Sequence, residues 1–156
     1  MQEISKYASI IYRNGQMYFD EKLAPYHIGC GQQFFLLRIH DNPGLNQYEL
    51  AAQGMFDKGT TARAVKKLLE LGYIRREIDE EDHRISKLYV SSKGEPFVVI
   101  IREMIKEWHL CLTSNLDEKE KDLVDQLMKK LADNASETMK KERKRDMYGT
   151  SDRKKD

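Results

Sequence analysis

The sequence has few of the residues on which small secreted proteins depend. Its 156 residues include only two cysteines and three prolines. Cys30 and Cys111 are too few and too far apart to form a disulfide framework. No apolar run approaches the roughly 20 residues that a membrane-spanning helix needs. These absences argue against a disulfide-stapled fold and against a membrane-spanning one.

The net charge is also close to zero, because the 27 Lys and Arg residues are balanced by 26 Asp and Glu residues. Charged residues still make up 34% of the chain and hydrophobic residues 40%, which is typical of an α-rich protein with much exposed surface. The length predicts one domain over residues 1–156. The first six residues lack the basic and then apolar layout of a signal peptide, so we expect a cytoplasmic protein.

The positive charge is concentrated in one short region. Lys58 to Arg76 contains six basic residues and one acidic residue, a net charge of +5, which leaves −4 on the rest of the chain. With a 100° step per residue, one face of a helix here is apolar and the opposite face polar and basic. The apolar face contains Ala62, Val65, Leu68 and Leu69, with Thr61 on the same side. The basic face contains Thr60, Arg63, Lys66 and Lys67.

Residues 46–72 have the start and stop signals of two consecutive helices. Asn46 followed by Glu49 is the pattern of a capping box, in which each side chain accepts a hydrogen bond from the other residue's backbone N–H. Asp57 is a second N-cap candidate, and Gly72 supplies a C-terminal stop. The order predicts a helix-turn-helix.

Two short strands follow the second helix. We predict them over Ile74 to Ile78 and Arg84 to Ser91, on either side of an acidic turn from Asp79 to Asp82. Two helices and a two-stranded wing make a winged helix-turn-helix, over about residues 30–94. A basic helix face within this motif is typical of a protein that binds DNA at one place. Solvation of an exposed helix face is the simpler alternative.

Amphipathic helices are predicted on both sides of the motif, near Ile4 to Leu23, from Gln32 to His40, after Pro96, and from Leu116 to Lys141. A small winged motif cannot bury the apolar faces of the long C-terminal helices alone. The simplest partner is a second copy, although the helices could also fold back onto their own domain. We therefore expect dimerisation helices at about 3–23 and 95–145, and a disordered tail over 146–156. The fold class is mostly α with a small β-wing.

Three segments resemble the MarR (multiple antibiotic resistance regulator) family of bacterial transcription factors. Residues 45–51 read LNQYELA, where the family reads roughly LTQxELA. Residues 57–63 read DKGTTAR, where the family typically reads DKSTVTR. Residues 79–84 read DEEDHR, where the family wing reads DxxDxR. The resemblance implies a homodimeric regulator, expected to be a repressor of a pseudo-palindromic DNA operator and to be released by a small molecule.

From the helix face and the resemblance together we expect two sets of contacts to double-stranded DNA. The set on the second helix of the motif, the recognition helix, comprises Lys58, Thr60, Thr61, Arg63, Lys66 and Lys67. The set on the wing comprises Asp82, His83 and Arg84, with the Asp82 carboxylate holding the Arg84 guanidinium for a minor groove. Arg63 is the best candidate for a bidentate base contact. An aromatic effector would contact Tyr12, Tyr26 and Trp108.

Two other functions remain open from the sequence. A winged-helix interaction module could use the basic face to bind an acidic protein, without an operator. A redox or metal sensor could act through Cys30, whose thiol pKa a helix N-terminus would lower. The set His27, Cys30, His40 and His109 has no tight metal-ligand spacing, so we predict no metal site and no cofactor. The sequence shows no pairing of a nucleophile with a base, so we do not expect this protein to be an enzyme.

Overall fold

The computed structural model describes residues 3–54 and 56–149, with the side chains up to residue 143. In chain order the elements are α1 (Ile4–Leu23), α2 (Cys30–Asp41), α3 (Gln47–Gly54), α4 (Lys58–Glu70), β1 (Ile74–Ile78), β2 (Ser86–Val90), α5 (Glu95–Leu112) and α6 (Glu118–Gly149). Helices and a two-stranded sheet confirm the predicted fold class. The chain divides into two compact units, the first ending at His109 and the second beginning at Leu110.

The helices of the helix-turn-helix begin at the predicted capping residues. Asn46 Oδ1 accepts from the Glu49 N–H at 2.9 Å, and Glu49 Oε2 accepts from the Asn46 N–H at 2.9 Å. At the start of α4, Asp57 Oδ1 accepts from the Thr60 N–H at 2.8 Å. The two caps satisfy backbone donors that have no partner within a helix, which confirms both predicted starts.

Helix α4 ends in a Schellman motif at Gly72. The Gly72 N–H donates to Leu69 O and the Tyr73 N–H donates to Leu68 O, both at 3.0 Å. Gly72 has φ +73°, a left-handed conformation that glycine adopts without a Cβ penalty. The predicted stop is therefore confirmed, and it turns the chain directly into β1.

The wing is an antiparallel pair in which Ile74 lies opposite Val90 and Ile78 opposite Ser86. Strand β2 is shorter than predicted, because Ile85 belongs to the turn. The Ile85 N–H donates to Asp82 O at 2.9 Å, and the Asp79 N–H donates to Ile85 O at 2.9 Å. These two bonds close the turn before β2 begins.

The hydrophobic core of the first unit joins α1 to α4, the wing and α5. Its fully enclosed members are Leu23, Phe35, Leu36, Ile39, Leu50, Val65, Leu68, Leu88 and Ile101. On α4 the buried face consists of Thr61, Ala64, Val65 and Leu68. The predicted apolar face is thus corrected in two respects: Ala64, which was not in the predicted set, is buried, and Ala62 and Leu69 are only half-buried.

The second unit is built mainly from α6. Its start has a reciprocal box between Asp117 and Glu120, with both N–H to carboxylate distances 2.9 Å. The helix includes residues 146–149, the beginning of the segment predicted as a tail, whereas residues 150–156 lie outside those described. Within the described ranges, no helix combines the length and apolarity required to cross a bilayer.

Candidate nucleic-acid interface

The outer face of α4 is basic and accessible. Lys58, Arg63, Lys66 and Lys67 are all exposed, as predicted. Lys66 has one acidic neighbour, the Glu70 carboxylate, at 3.8 Å, and its side chain remains 77% exposed. A surface ion pair at this distance holds a lysine weakly, so these cations are available to an anionic partner.

Thr60 does not present its hydroxyl to solvent as the sequence predicts. The Thr60 Oγ1 hydroxyl donates to Asp57 Oδ2 at 2.6 Å and accepts from Arg63 Nη2 at 3.2 Å. The bond from the Thr60 hydroxyl, and then the bond from the Thr60 backbone N–H, lower the pKa of the Asp57 carboxyl below its ordinary value. Thr60 therefore connects the N-cap to the Arg63 guanidinium and holds that side chain along the helix.

The structure corrects the prediction that Thr61 is one of the DNA contacts on α4. Its side chain is fully buried, and its hydroxyl donates to Asp57 O at 3.0 Å. A buried hydroxyl engaged with its own helix cannot reach an external partner. Its place in the sequence motif reflects the packing and capping of α4.

The wing contains the predicted ion pair. Arg84 Nε lies 3.0 Å from Asp82 Oδ1, and Arg84 Nη2 lies 3.0 Å from Asp82 Oδ2. The Arg84 backbone N–H also donates to Asp82 Oδ1, at 3.1 Å. The Arg84 side chain is still 90% exposed, so the bidentate pair fixes its direction without burying its charge. His83, beside it, is exposed.

A second acid, Asp79, organises the wing turn. Asp79 Oδ1 accepts from the Glu81 and Asp82 backbone N–H groups at 2.9 Å, and Asp79 Oδ2 lies 2.6 Å from Lys87 Nζ. The Lys87 ammonium and these two N–H groups lower the pKa of Asp79 to about 2. Two of the four consecutive acids are thus occupied within the wing, while Glu80 and Glu81 face solvent.

Sequence reasoning missed a surface beside the start of α4. Gln47, Tyr48 and Lys58 line a shallow depression of about 230 Å³. Tyr48 is 72% exposed although it is aromatic. Gln47 and Tyr48 both belong to the LNQYELA segment, but only the fold places them beside Lys58 of the next helix.

A larger cavity, of about 360 Å³, lies in the first unit. We call it the aromatic cavity. Its aromatic lining consists of Tyr12, Phe19, Phe34, Phe35, Phe56 and Trp108, and its polar lining includes Gln16, Cys30, Gln33 and Thr60. Tyr12 and Trp108 therefore lie together, as an effector site would require.

Tyr26 is not part of the aromatic cavity. Its ring packs edge-on against Phe97, with 5.1 Å between centroids, and its carbonyl accepts from the Tyr73 hydroxyl at 3.0 Å. The prediction that Tyr26 joins Tyr12 and Trp108 is corrected accordingly. Tyr26 follows Pro25 in a short 3-10 turn, Ala24–Tyr26, which directs it toward α5.

Cys30 is the first residue of α2 and is half-buried. Burial, and then the neighbouring Asp20 carboxylate, raise the pKa of its thiol. The lowered pKa expected at a helix N-terminus is therefore wrong, because burial and the Asp20 carboxylate, which also accepts from the Cys30 N–H at 2.7 Å, outweigh the effect of the helix N-terminus. Among the described residues, no three His, Cys, Asp or Glu side chains are grouped closely enough to hold a metal ion.

Known proteins are similar to this chain in both sequence and fold. Residues 31–86 match the family model described as the MarR family. The HTH-type transcriptional regulator BilQ of Clostridium symbiosum is 33% identical over 130 residues, which cover 83% of this chain and 90% of BilQ. The chain belongs to the MarR family of DNA-binding transcription regulators.

Solved MarR family structures have the same fold. A MarR transcriptional regulator from Methanosarcina mazei Go1 is 35% identical, with a TM-score of 0.81, and the match covers 86% of this chain and 97% of that one. A MarR family regulator from Listeria monocytogenes, solved in complex with a 26mer DNA, is 20% identical, with a TM-score of 0.83, covering 100% and 99%. The fold therefore extends beyond the segment that matches the MarR family model.

Proposed function

We propose that this regulator is a homodimeric repressor that binds a pseudo-palindromic operator and is released by a small-molecule effector. The observation that carries the proposal is the exposed basic face of α4 beside a wing whose Arg84 is held outward by Asp82. A helix of this kind enters the major groove, and an arginine on a wing suits the adjacent minor groove. The Listeria relative bound to DNA has the same fold.

Exposed apolar side chains support the dimer. In the first unit, α1 exposes Ile4, Tyr7, Ile10, Ile11 and Met17. In the second unit, α6 exposes Leu123, Val124, Leu127, Met128 and Leu131. Contiguous apolar faces of this extent mark interaction surfaces in a soluble protein. A second copy covers them with a self-complementary interface and presents two recognition helices to one duplex.

The aromatic cavity supports release by an effector. Two of its lining residues, Phe56 and Thr60, lie on either side of Asp57, the N-cap of α4. Thr60 also accepts the hydrogen bond from Arg63. A molecule in the cavity would therefore contact the same residues that set the start of α4 and the direction of Arg63, which gives it a route to the DNA-binding face.

Selection of duplexes from a random DNA library tests the proposal. We expect enrichment of an inverted repeat with half-site centres about one helical turn (~34 Å) apart, bound by two chains per duplex in analytical ultracentrifugation. Affinity should fall steeply with salt, because phosphate contacts release counterions. Binding without any sequence preference would favour the alternative of a basic face for an acidic protein partner.

The Asp82→Ala variant tests the wing. If Asp82 holds Arg84 in a binding-competent direction, Asp82→Ala weakens operator binding even though it removes a negative charge. Arg84→Ala should weaken it further, and the double variant should add little to Arg84→Ala. Fluorescence anisotropy on one operator at fixed salt measures the three affinities. Glu80→Ala is the matched control, since it removes an unpaired wing acid and should bind equally or more tightly. Tighter binding by Asp82→Ala would contradict the orienting role.

A further inference from the structure

The glycine in the first turn of α4 is not required by its backbone conformation. Gly59 lies within the helix, and the glycines with a left-handed φ in the described ranges are Gly44 and Gly72. Gly59 is also exposed, so packing of the core does not exclude a larger residue there. Glycine is less favourable in a helix than alanine, so the chain gives up helix stability at this position without a backbone reason.

The missing side chain of Gly59 leaves room for two charged groups. A Cβ at this position would lie 3.2 Å from Asp57 Oδ1 and 3.3 Å from Arg63 Nη1. Apart from the neighbouring residues and the backbone of its own helix, it would meet no other described atom within 4 Å. Both distances are shorter than an optimal non-bonded contact of about 3.5–4.0 Å. An alanine would therefore displace the Asp57 carboxylate or the Arg63 guanidinium.

The Asp57 carboxylate is the less movable of the two groups. Its Oδ1 accepts from the Thr60 N–H at 2.8 Å and its Oδ2 from the Thr60 hydroxyl at 2.6 Å, and these bonds cap α4. The Arg63 guanidinium is held by a longer bond, 3.2 Å from Nη2 to Thr60 Oγ1, at the end of a long exposed side chain. An alanine at position 59 would therefore move the guanidinium and leave the cap in place.

Gly59 and Arg63 are four residues apart and so lie on the same face of α4. Long helical side chains lie back over the preceding turn, which brings the end of Arg63 over residue 59. The guanidinium places Nη1 beside Gly59 and Nη2 on the Thr60 hydroxyl. We call the space over Gly59, together with the Thr60 hydroxyl, the arginine seat.

We propose that Gly59 is a specificity-determining residue, because it opens the arginine seat from which Arg63 reads the operator. The inference rests on the proposed function and adds a residue that acts through Arg63. The guanidinium uses one N–H group on Thr60 and keeps the others for a base. A bidentate base contact needs two donors at hydrogen-bond distance together, so a displaced guanidinium loses part of it. A guanidinium outside the seat must also be ordered on binding, which weakens the specific complex.

Gly59→Ala separates positioning of Arg63 from an effect on stability. The variant should keep or raise the Tm, by up to about 4 °C, because alanine is the better helix former. Discrimination between the selected operator and random duplex should nevertheless fall about 2- to 10-fold per half-site, the cost of ordering one long side chain. Fluorescence anisotropy at one salt concentration measures both affinities. Gly31→Ala is the matched control for the Tm, since Gly31 is likewise the second residue of its helix.

The Arg63→Ala background shows whether Gly59 acts through Arg63. Without the guanidinium, Gly59→Ala should cause no further loss of discrimination. The same loss in both backgrounds, or equal losses on operator and random duplex, would mean that DNA packs directly against Gly59, and the proposal would be rejected. Unchanged discrimination in the Gly59→Ala single variant would reject it as well.

The protein without DNA gives an independent measurement of the arginine seat. In ¹⁵N relaxation, the Nε of Arg63 should be more mobile in Gly59→Ala than in the unmodified protein. Thr60→Val removes the accepting hydroxyl and should have the same effect, whereas Thr60→Ser keeps it and should not. If the unmodified protein has no operator preference, the proposed function is rejected, and the mobility of Arg63 alone decides whether the seat exists. An equally ordered Arg63 in Gly59→Ala would overturn the inference.

Discussion

Replacing Arg63 by alanine should abolish most of the discrimination between operator and random DNA. A bidentate contact from arginine to a guanine edge contributes about 1–3 kcal/mol, so the loss is roughly 5- to 150-fold per half-site. The Arg63 guanidinium is exposed on α4 and is held along the helix by Thr60, so little order has to be created when it binds. Affinities of Arg63→Ala for the selected operator and for random duplex, at one salt concentration, give the ratio directly.

Lys67→Ala is the matched control on the same helix face. Lys67 is exposed near the end of α4, and we expect it to contact a phosphate. Its removal should weaken binding to both duplexes by a similar factor and reduce the slope of log affinity against log salt by about one per contact. Equal losses on both duplexes for Arg63→Ala would instead assign Arg63 to the DNA backbone.

Substitution of Gly94 by alanine should destabilise the first unit strongly. A Cβ at this position would lie 2.1 Å from Tyr73 O and 2.8 Å from Val90 Cγ1. The nearer atom belongs to the backbone, so the start of α5 and the backbone just before β1 would have to move apart. Overpacking of this kind costs about 1–3 kcal/mol, which lowers Tm by roughly 3 to 10 °C in a chain of this size. Thermal unfolding followed by circular dichroism at fixed protein concentration measures the shift.

Gly31→Ala is the comparison for that experiment. Gly31 lies in the first turn of α2, and a Cβ there would meet nothing within 4 Å. Alanine is a better helix former than glycine, so this variant should keep or slightly raise Tm. A Gly94→Ala protein as stable as Gly31→Ala would show that the contact between residues 73 and 94 can relax freely.

The sequence is most informative where one local bond determines the conformation. The capping box of Asn46 and Glu49, the N-cap Asp57 and the stop at Gly72 depend on residues five or fewer positions apart, and the sequence predicts all of them. The pair between Asp82 and Arg84 is local in the same sense. Local hydrogen bonds between side chains and backbone need no knowledge of the tertiary fold.

Predictions that depended on tertiary packing were less accurate. Cys30 meets Asp20 of another helix, so its environment could not be read from its position at the start of α2. Tyr26 and Trp108 have similar sequence signals, yet only Trp108 lines the aromatic cavity. Thr60 and Thr61 are adjacent, but one reaches the cavity and the other is enclosed in the core.

The junction after the wing has a consequence for operator architecture. Ser91 Oγ donates to Gly72 O at 2.6 Å and Lys93 Nζ donates to Leu71 O at 2.7 Å, both at the C-terminal end of α4. These bonds join the base of the wing to the recognition helix, so the two move together. In the proposed complex, the distance between the base contacts of α4 and the minor-groove contact of Arg84 is therefore set by the protein. A change in the spacing between the two half-sites of an operator would then be accommodated by the flexibility of the proposed dimer. Inserting one base pair within a half-site, between the helix and wing positions, would forfeit one of the two contacts altogether.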